Sequence, residues 1–409
     1  MSPYTKTLIG HLTSVEAGAL SATLDEQSKE SGLPRISAKK DPNDLSGQPG
    51  SYVAVIQGGI KLLAVVKSIN EIPASNGNGT SSSINMIPLG EVSPKGIFTN
   101  GIKNYPVTGA EVHTVNREEV ESIFIKFRAQ GYAIGVASAD NSIDVCVDPA
   151  ALFGRHTAIL GQSGAGKSWT VTNLLQRAVK SMPKAHIILL DLHGEYSWED
   201  KDGNRQYAFD ENTTRYIDAR DLEIPYWLMT FAELVDLLVD RTDASASTQI
   251  AFLRDSVQDL RNKANKDLDI GHISIDSPVY FSLTEMYNYF EEANKATTHF
   301  GKEKGVLAGL FDQFMMRLQS RMNDSRYDFL LNPKHRTDSS SLSGLLRDFV
   351  GLGEPRAQIT IIDLSSVPFD VRPVVTAQVG RLAFEFNYWN PKFKEFPLLL
   401  VCEEAHAYI

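Results

Sequence analysis

No stretch of the 409 residues holds about 18 consecutive apolar side chains, so no segment reads as a membrane-spanning helix. The N-terminus, Met1-Ser-Pro-Tyr-Thr-Lys-Thr-Leu8, has no apolar core of the kind a secretory leader carries. Cysteine is scarce. Cys146 and Cys402 each sit in an apolar, strand-like run, which excludes a disulfide framework and suits small core residues in a reducing compartment. The expected location is the cytoplasm. Positive charge is also in deficit, with 40 Lys and Arg against 50 Asp and Glu, a net −10. That excludes a protein coated in basic surface to wrap nucleic acid. It leaves room for a ring that lines a narrow channel with a few repeated cations. His193 and His406 have no Cys or His partners at ligand spacing, so neither reads as part of a zinc site.

What the chain does contain is a phosphate-binding signature. Gly161-Gln162-Ser163-Gly164-Ala165-Gly166-Lys167-Ser168 matches G-x-x-x-x-G-K-[ST] in full. The apolar run His156–Leu160 before it predicts a buried strand, and Trp169–Val179 after it predicts a helix. Glycines let the backbone turn tightly and bring its N–H groups against phosphate oxygens, and the helix N-terminus adds partial positive charge. Lys167 is expected to reach the β- and γ-phosphates of ATP, and the Ser168 hydroxyl to ligate Mg²⁺. The partner carboxylates are expected at the chain's end, where Leu399–Cys402 runs into Glu403-Glu404-Ala405-His406. An acid ending a buried strand points to the crevice where nucleotides bind. Glu403 is expected on magnesium and Glu404 as the residue that polarises the attacking water. Asp191-Leu-His193-Gly194 matches the D-x-x-G of GTP-binding switches, but no N-K-x-D motif accompanies it; Asn265-Lys-Asp-Leu268 fails at its fourth position. Arg155, twelve residues before Lys167, is expected at the far end of the P-loop strand, where in a ring it serves a neighbouring subunit's phosphates in trans or is a surface arginine near an interface.

The length predicts two or three domains. Residues 1–118 read as all-β. Lys6–Gly10, Gly18–Leu24, Tyr52–Ile56 and Ile60–Val66 are strand-like, Gly58-Gly59 makes a hairpin turn, and Ser75–Ser83 predicts a solvated loop. Such a pattern suits a small barrel or sandwich. Residues 119–409 read as an α/β domain. Ile134–Val136 and Ile143–Val147 predict a hairpin around a turn at Ala139–Ser142. His186–Asp191, Gln358–Asp363 and Pro397–Cys402 are apolar runs that suit parallel strands buried on both faces. Between them, about 228–350, lies a helical insertion. Phe231, Leu234, Val235 and Leu238 share one helical face, Ile250, Leu253, Val257 and Leu260 a second, and Val306, Leu307, Leu310, Phe311, Phe314 and Leu318 a third. Pro333-Lys334-His335-Arg336, or Arg261 with Lys263 and Lys266, could meet DNA phosphates; a solvated surface explains either equally.

Taken together these residues resemble the HerA family of hexameric ATP-driven DNA translocases, which belong with FtsK-type pumps in the RecA-like branch. Four features carry the resemblance: the barrel-like residues 1 to about 115, including Tyr105–Val112; the entry segment Arg155–Gly161; Asp191-Leu-His193-Gly194-Glu195-Tyr196; and Glu403-Glu404-Ala405-His406. Ile224–Leu228 also fits. The resemblance implies a P-loop RecA-like sheet preceded by an N-terminal barrel. It implies a homo-hexamer with ATP and Mg²⁺ between subunits, duplex DNA in the central channel, and site support from Asp191, His193 and Glu195. It also implies a partner, a nuclease or a sirtuin-like NAD-consuming effector, on the barrel face, in DNA end processing or anti-phage defence. Family members continue with a further strand, arginines and a helical brace, so the C-terminal part of the ATPase domain is expected to be missing after Ile409. A nucleotide-gated scaffold that regulates an effector, and a conjugation or secretion motor, are the alternative readings.

Overall fold

The computed structural model describes residues 8–25, 49–73, 80–128, 131–137, 140–268, 270–298, 303–369 and 371–407. The chain divides into two compact units, Met1–Ser181 and Met182–Ile409. Among the described residues no helix is long and apolar enough to cross a membrane.

The first unit is built on a barrel. Strands β1 (Leu8–Glu16), β2 (Ala19–Leu24), β3 (Tyr52–Gln57), β4 (Ile60–Pro73), β5 (Thr80–Val92), β6 (Phe98–Asn100) and β7 (Glu111–Thr114) run in the order β2-β1-β7-β3-β4-β5-β6. An additional β2–β5 pairing closes six of them into an antiparallel barrel, which removes the exposed edges an open sheet would carry. The β3–β4 hairpin turns at Gly58 and Gly59, with φ of 53° and 83°, as a two-residue turn of this twist requires. Leu20, Val53, Val55, Leu62, Ile84 and Val112 fill the interior. The expected loop at 75–83 is shorter than its composition suggests. Residues 74–79 lie outside the described residues, but Thr80–Ser83 pair with Asn70–Pro73 in the β4–β5 ladder. Cross-strand pairing holds those serines extended where propensity alone predicts a loop. Lys6, in the expected first strand, also lies outside the described residues.

Helix Arg117–Arg128 follows the barrel, then the antiparallel hairpin β8 (Ala133–Ala137) and β9 (Asp140–Cys146). Asp140–Ser142, expected in the turn, belong to β9, and Ala139 lies outside the described residues. The unit ends on the P-loop and helix Lys167–Ser181. Tyr132 is buried and its hydroxyl donates to the Leu174 carbonyl at 2.8 Å, which ties hairpin to helix.

The second unit is an α/β layer structure. Strands β10 (His186–Asp191), β13 (Thr214–Asp218), β16 (Ile359–Asp363) and β17 (Leu398–Cys402) form a parallel sheet in the order β13-β16-β10-β17. Every residue of β10 and β16 is buried, the state their unbroken apolar runs predict. Small two-stranded pieces are β11 (Ser197–Glu199) with β12 (Arg205–Tyr207) and β14 (Thr297–Thr298) with β15 (Glu303–Lys304).

Between β13 and β16 the chain is helical. Helix Phe231–Leu238 begins with a capping box in which Thr230 accepts from the Glu233 N–H and Glu233 from the Thr230 N–H. Helices Ala246–Ala264, Leu283–Lys295, Asp312–Met322 and Leu342–Phe349 follow. The first two expected apolar faces are buried, apart from half-buried Ile250. The third begins later than its periodicity suggests. Val306 is 91% exposed and the helix starts at Asp312, because Gly309 adopts φ +82° and breaks the run. Helix Arg372–Trp389 then leads to β17.

Candidate nucleotide site

The P-loop belongs to the first unit. Gly164 and Gly166 have φ of 77° and 89°, conformations that side chains rarely adopt. The Ala165 N–H donates to the Gln162 carbonyl at 3.1 Å, and the Lys167 ammonium to the Gly161 carbonyl at 3.2 Å. A Cβ on Gly161 would sit 3.3 Å from the Ala165 methyl. Gly161–Ala165 are exposed, whereas Gly166, Lys167 and Ser168 are half-buried where the helix begins. This gives a compact, glycine-turned loop on a helix N-terminus, with a lysine folded over it.

The expected strand His156–Leu160 does not form. The segment has no ladder partner among the described residues, and Leu160 is 90% exposed. An apolar run becomes a strand only beside a neighbour to pair with. Among the described residues no strand of this unit pairs with this run. Arg155 is exposed, and without that strand it is not set at a strand end opposite the loop.

In the second unit three of the four parallel strands end at an aspartate, and a glutamate directly follows the fourth. Asp218 pairs with Asp363 and Asp363 with Asp191, while Leu190 pairs with Cys402 so that Glu403 follows at the same level. A row of four acids therefore lies along the carboxyl end of the sheet, the end at which open α/β sheets bind ligands. Asp191 is fully buried and accepts from the N–H groups of Gly194 at 2.8 Å, Glu195 at 3.0 Å and Tyr196 at 3.0 Å. One carboxylate thus shapes the whole Asp191–Tyr196 turn, in which Gly194 takes φ +71° and Tyr196 is buried against Phe209. His193 and Glu195 are exposed on it.

Glu403 accepts from the Leu192 N–H at 3.1 Å and shares a side-chain hydrogen bond with Asp191. Burial, then the neighbouring Asp191 carboxylate, push the Glu403 carboxyl up to about 8. Burial also raises Asp191, against the pull of the Tyr196 and Glu195 N–H groups. Two carboxylates this close do not both ionise, so the pair holds one proton at neutral pH. Glu404 has φ +45°, an uncommon conformation for a residue with a side chain. Its carboxylate lies 3.3 Å from the His406 ring nitrogen. Asp363 accepts from the Tyr216 hydroxyl at 2.7 Å and the Ser365 N–H at 2.8 Å. Asp218 caps the next turn through the Arg220 N–H, and the Arg220 side chain lowers its pKa. The sequence reading missed Asp218 and Asp363 as members of the row. The signal was present: each ends a strand run as Asp191 does.

Residues 132–382 match the family described as the central domain of helicase HerA, a span that contains the P-loop and three of the four acids. The chain belongs to the HerA helicase family. Among curated relatives, a DNA double-strand break repair helicase HerA from Sulfolobus acidocaldarius is 24% identical over 74% of this chain and 53% of its own length. One of the same description from Saccharolobus solfataricus is 23% identical over the same shares. A probable helicase from Methanocaldococcus jannaschii is 24% identical over 53% of this chain and 38% of its own. The chain spans about half the length of the HerA relatives it matches.

One expected DNA contact is corrected. Arg261 is fully buried, and its guanidinium donates to the carbonyls of Ile275, Trp227 and Met229. It joins helix Ala246–Ala264 to the Ile224–Leu228 region and cannot reach a nucleic acid. The backbone of Lys334 and His335 is held by the Glu223 carboxylate at 3.0 and 2.8 Å, while their side chains are exposed.

Proposed function

We propose that the protein is a ring-forming, ATP-hydrolysing DNA translocase of HerA type. The observation that carries this reading is a HerA family match running through an intact P-loop. Backbone N–H groups of Gly161 to Ser168 cradle the phosphates, and Lys167 neutralises charge that develops on them. The Ser168 hydroxyl and the Glu403 carboxylate are hard oxygen donors, which suits Mg²⁺. Ser168 and Glu403 would hold the ion, which would supply positive charge against the charge developing on the phosphates. Glu404 orients the attacking water and accepts its proton. Asp191 holds the turn that presents His193 and Glu195 and keeps Glu403 in place. Arg155 serves a neighbouring subunit's site in trans, in a homo-hexamer.

In this reading the ring encloses duplex DNA, acts in the cytoplasm, and carries a nuclease or sirtuin-like effector on the barrel for anti-phage defence or DNA end processing. Residues 1–118 act as the docking domain and 119–409 as the ATPase domain. Exposed Ile97, Tyr105 and Val107 in the barrel's loops support a docking role. The test is steady-state ATP turnover with and without linear duplex DNA. A translocase shows stimulation by DNA. Turnover that ignores DNA favours the nucleotide-gated scaffold instead.

A further inference from the structure

A second feature lies at the other end of the parallel sheet. A cleft of about 540 Å³ opens at the outer edge of β13, within the size range of small-ligand sites. It is bounded by β12, the turn Glu211–Thr213, the start of β13 and the segment 355–357 that enters β16. Thr214 pairs with Ile359 at the amino end of the strands, and Asp218 with Asp363 at the carboxyl end. Four residues of strand separate them, about 13 Å, so the cleft is not the acid row.

Its charge is the opposite of the protein's. Arg205, Arg215 and Arg356 line it, against one lining carboxylate, Glu211. Their partners do not balance them. Arg205 meets Glu199 at 3.1 Å on the rim. Arg215 shares Asp348 with Arg336, at 2.8 and 3.1 Å, so one carboxylate faces two guanidiniums. Arg356 is exposed and approaches the His186 ring nitrogen at 3.4 Å. Burial holds His186 down at about 4, so the ring is neutral and adds no charge of its own. The cleft is also shaped. Arg205 stacks on the Tyr216 ring at 3.9 Å, which fixes its guanidinium plane. Side chains of β13 alternate, so Thr214 and Tyr216 leave one face and Arg215 the other, and the cleft wraps the strand edge. Asn212 and Thr214 add neutral hydrogen-bonding groups, and Tyr207 adds an aromatic ring.

We propose that this cleft binds the phosphate of a nucleotide, with the Arg205 and Arg356 guanidiniums as its forks, Arg215 adding positive charge from the other face of the strand edge, and Tyr207 beside the base. Planar guanidiniums match phosphate oxygens two at a time, and a tyrosine face accepts any base. The phosphate comes from a free nucleotide or from the terminus of a single strand. Any occupant that touches Arg205 also bears on Tyr216, whose hydroxyl holds Asp363 in the acid row, so a bound nucleotide is placed to influence that row.

The test uses the full chain carrying Lys167→Ala, so that P-loop binding does not enter and its failure is scored separately. Fluorescence anisotropy follows a methylanthraniloyl-AMP probe and a short dye-labelled, 5′-phosphorylated single strand. The proposal expects saturable binding of at least one probe, competition by inorganic phosphate, and affinity lowered about tenfold or more by Arg356→Gln and by Arg205→Gln, the loss of one charge-assisted contact. Both variants are at or near the surface, and an unchanged melting curve checks their fold. Binding of AMP assigns the site to free nucleotide, and binding of the strand alone assigns it to a strand terminus. Failure of both probes to bind, affinity unmoved by both substitutions, or preference for a hexaglutamate peptide overturns it.

Discussion

The carboxyl pair at Asp191 and Glu403 makes stability depend on pH in an unusual direction. Most carboxylates in folded proteins titrate low, so acid destabilises the fold. Glu403 is raised from an ordinary 4.5 to about 8 by burial and by Asp191. Between those values the folded protein binds one more proton than the unfolded chain. Stability from this group is therefore full below about 4.5, falls as pH rises through the window, and is flat above about 8. A whole proton is worth about 1.4 kcal/mol per pH unit, and partial exposure of Glu403 reduces the total to about 2–3 kcal/mol. Glu403→Gln tests this with little change in shape, because the amide oxygen can still accept from the Leu192 N–H. Near pH 5 the variant and the parent should melt together. At pH 8.5 the variant should melt higher by roughly 5–10 °C, the shift that 2–3 kcal/mol makes in a domain of about 200 residues. Differential scanning fluorimetry across pH reads this directly. Melting curves that stay parallel from pH 5 to 8.5 would refute the shared proton.

Two further outcomes follow from the geometry. Arg261→Met leaves the carbonyls of Trp227, Met229 and Ile275 without their donor, and should cost about 3–5 kcal/mol in urea denaturation while leaving duplex affinity of the folded protein unchanged. Gly166→Ala meets no atom within 4 Å but must adopt φ +89°; it should cost about 1–2 kcal/mol and lower ATP affinity at least tenfold by titration calorimetry.

Much of the fold was legible because its strands obey simple patterns. β10 and β16 read as continuous apolar runs since both faces are covered, and the β3–β4 hairpin announced itself by Gly58-Gly59. The acids at Asp191 and Glu403 stood out for the same reason, as charges ending apolar runs. What the sequence hid was context. His156–Leu160 is apolar enough for a strand, but pairing depends on a neighbour that periodicity does not reveal. Gly309 interrupts a stretch whose helical spacing looks continuous. Arg261 shares its composition with surface cations, and only the carbonyls gathered around it show it to be a core residue. The Arg205, Arg215 and Arg356 cleft joins residues more than a hundred positions apart, and no local motif marks it.

In the proposed function Lys167 and Glu404 both act on ATP. This claim is tested most directly by measuring ATP affinity and single-turnover hydrolysis side by side in Glu404→Gln and Lys167→Ala. Glu404→Gln should bind ATP as the parent does and hydrolyse it about a hundredfold more slowly or worse, while Lys167→Ala weakens both. Hydrolysis at the parental rate in Glu404→Gln would contradict it.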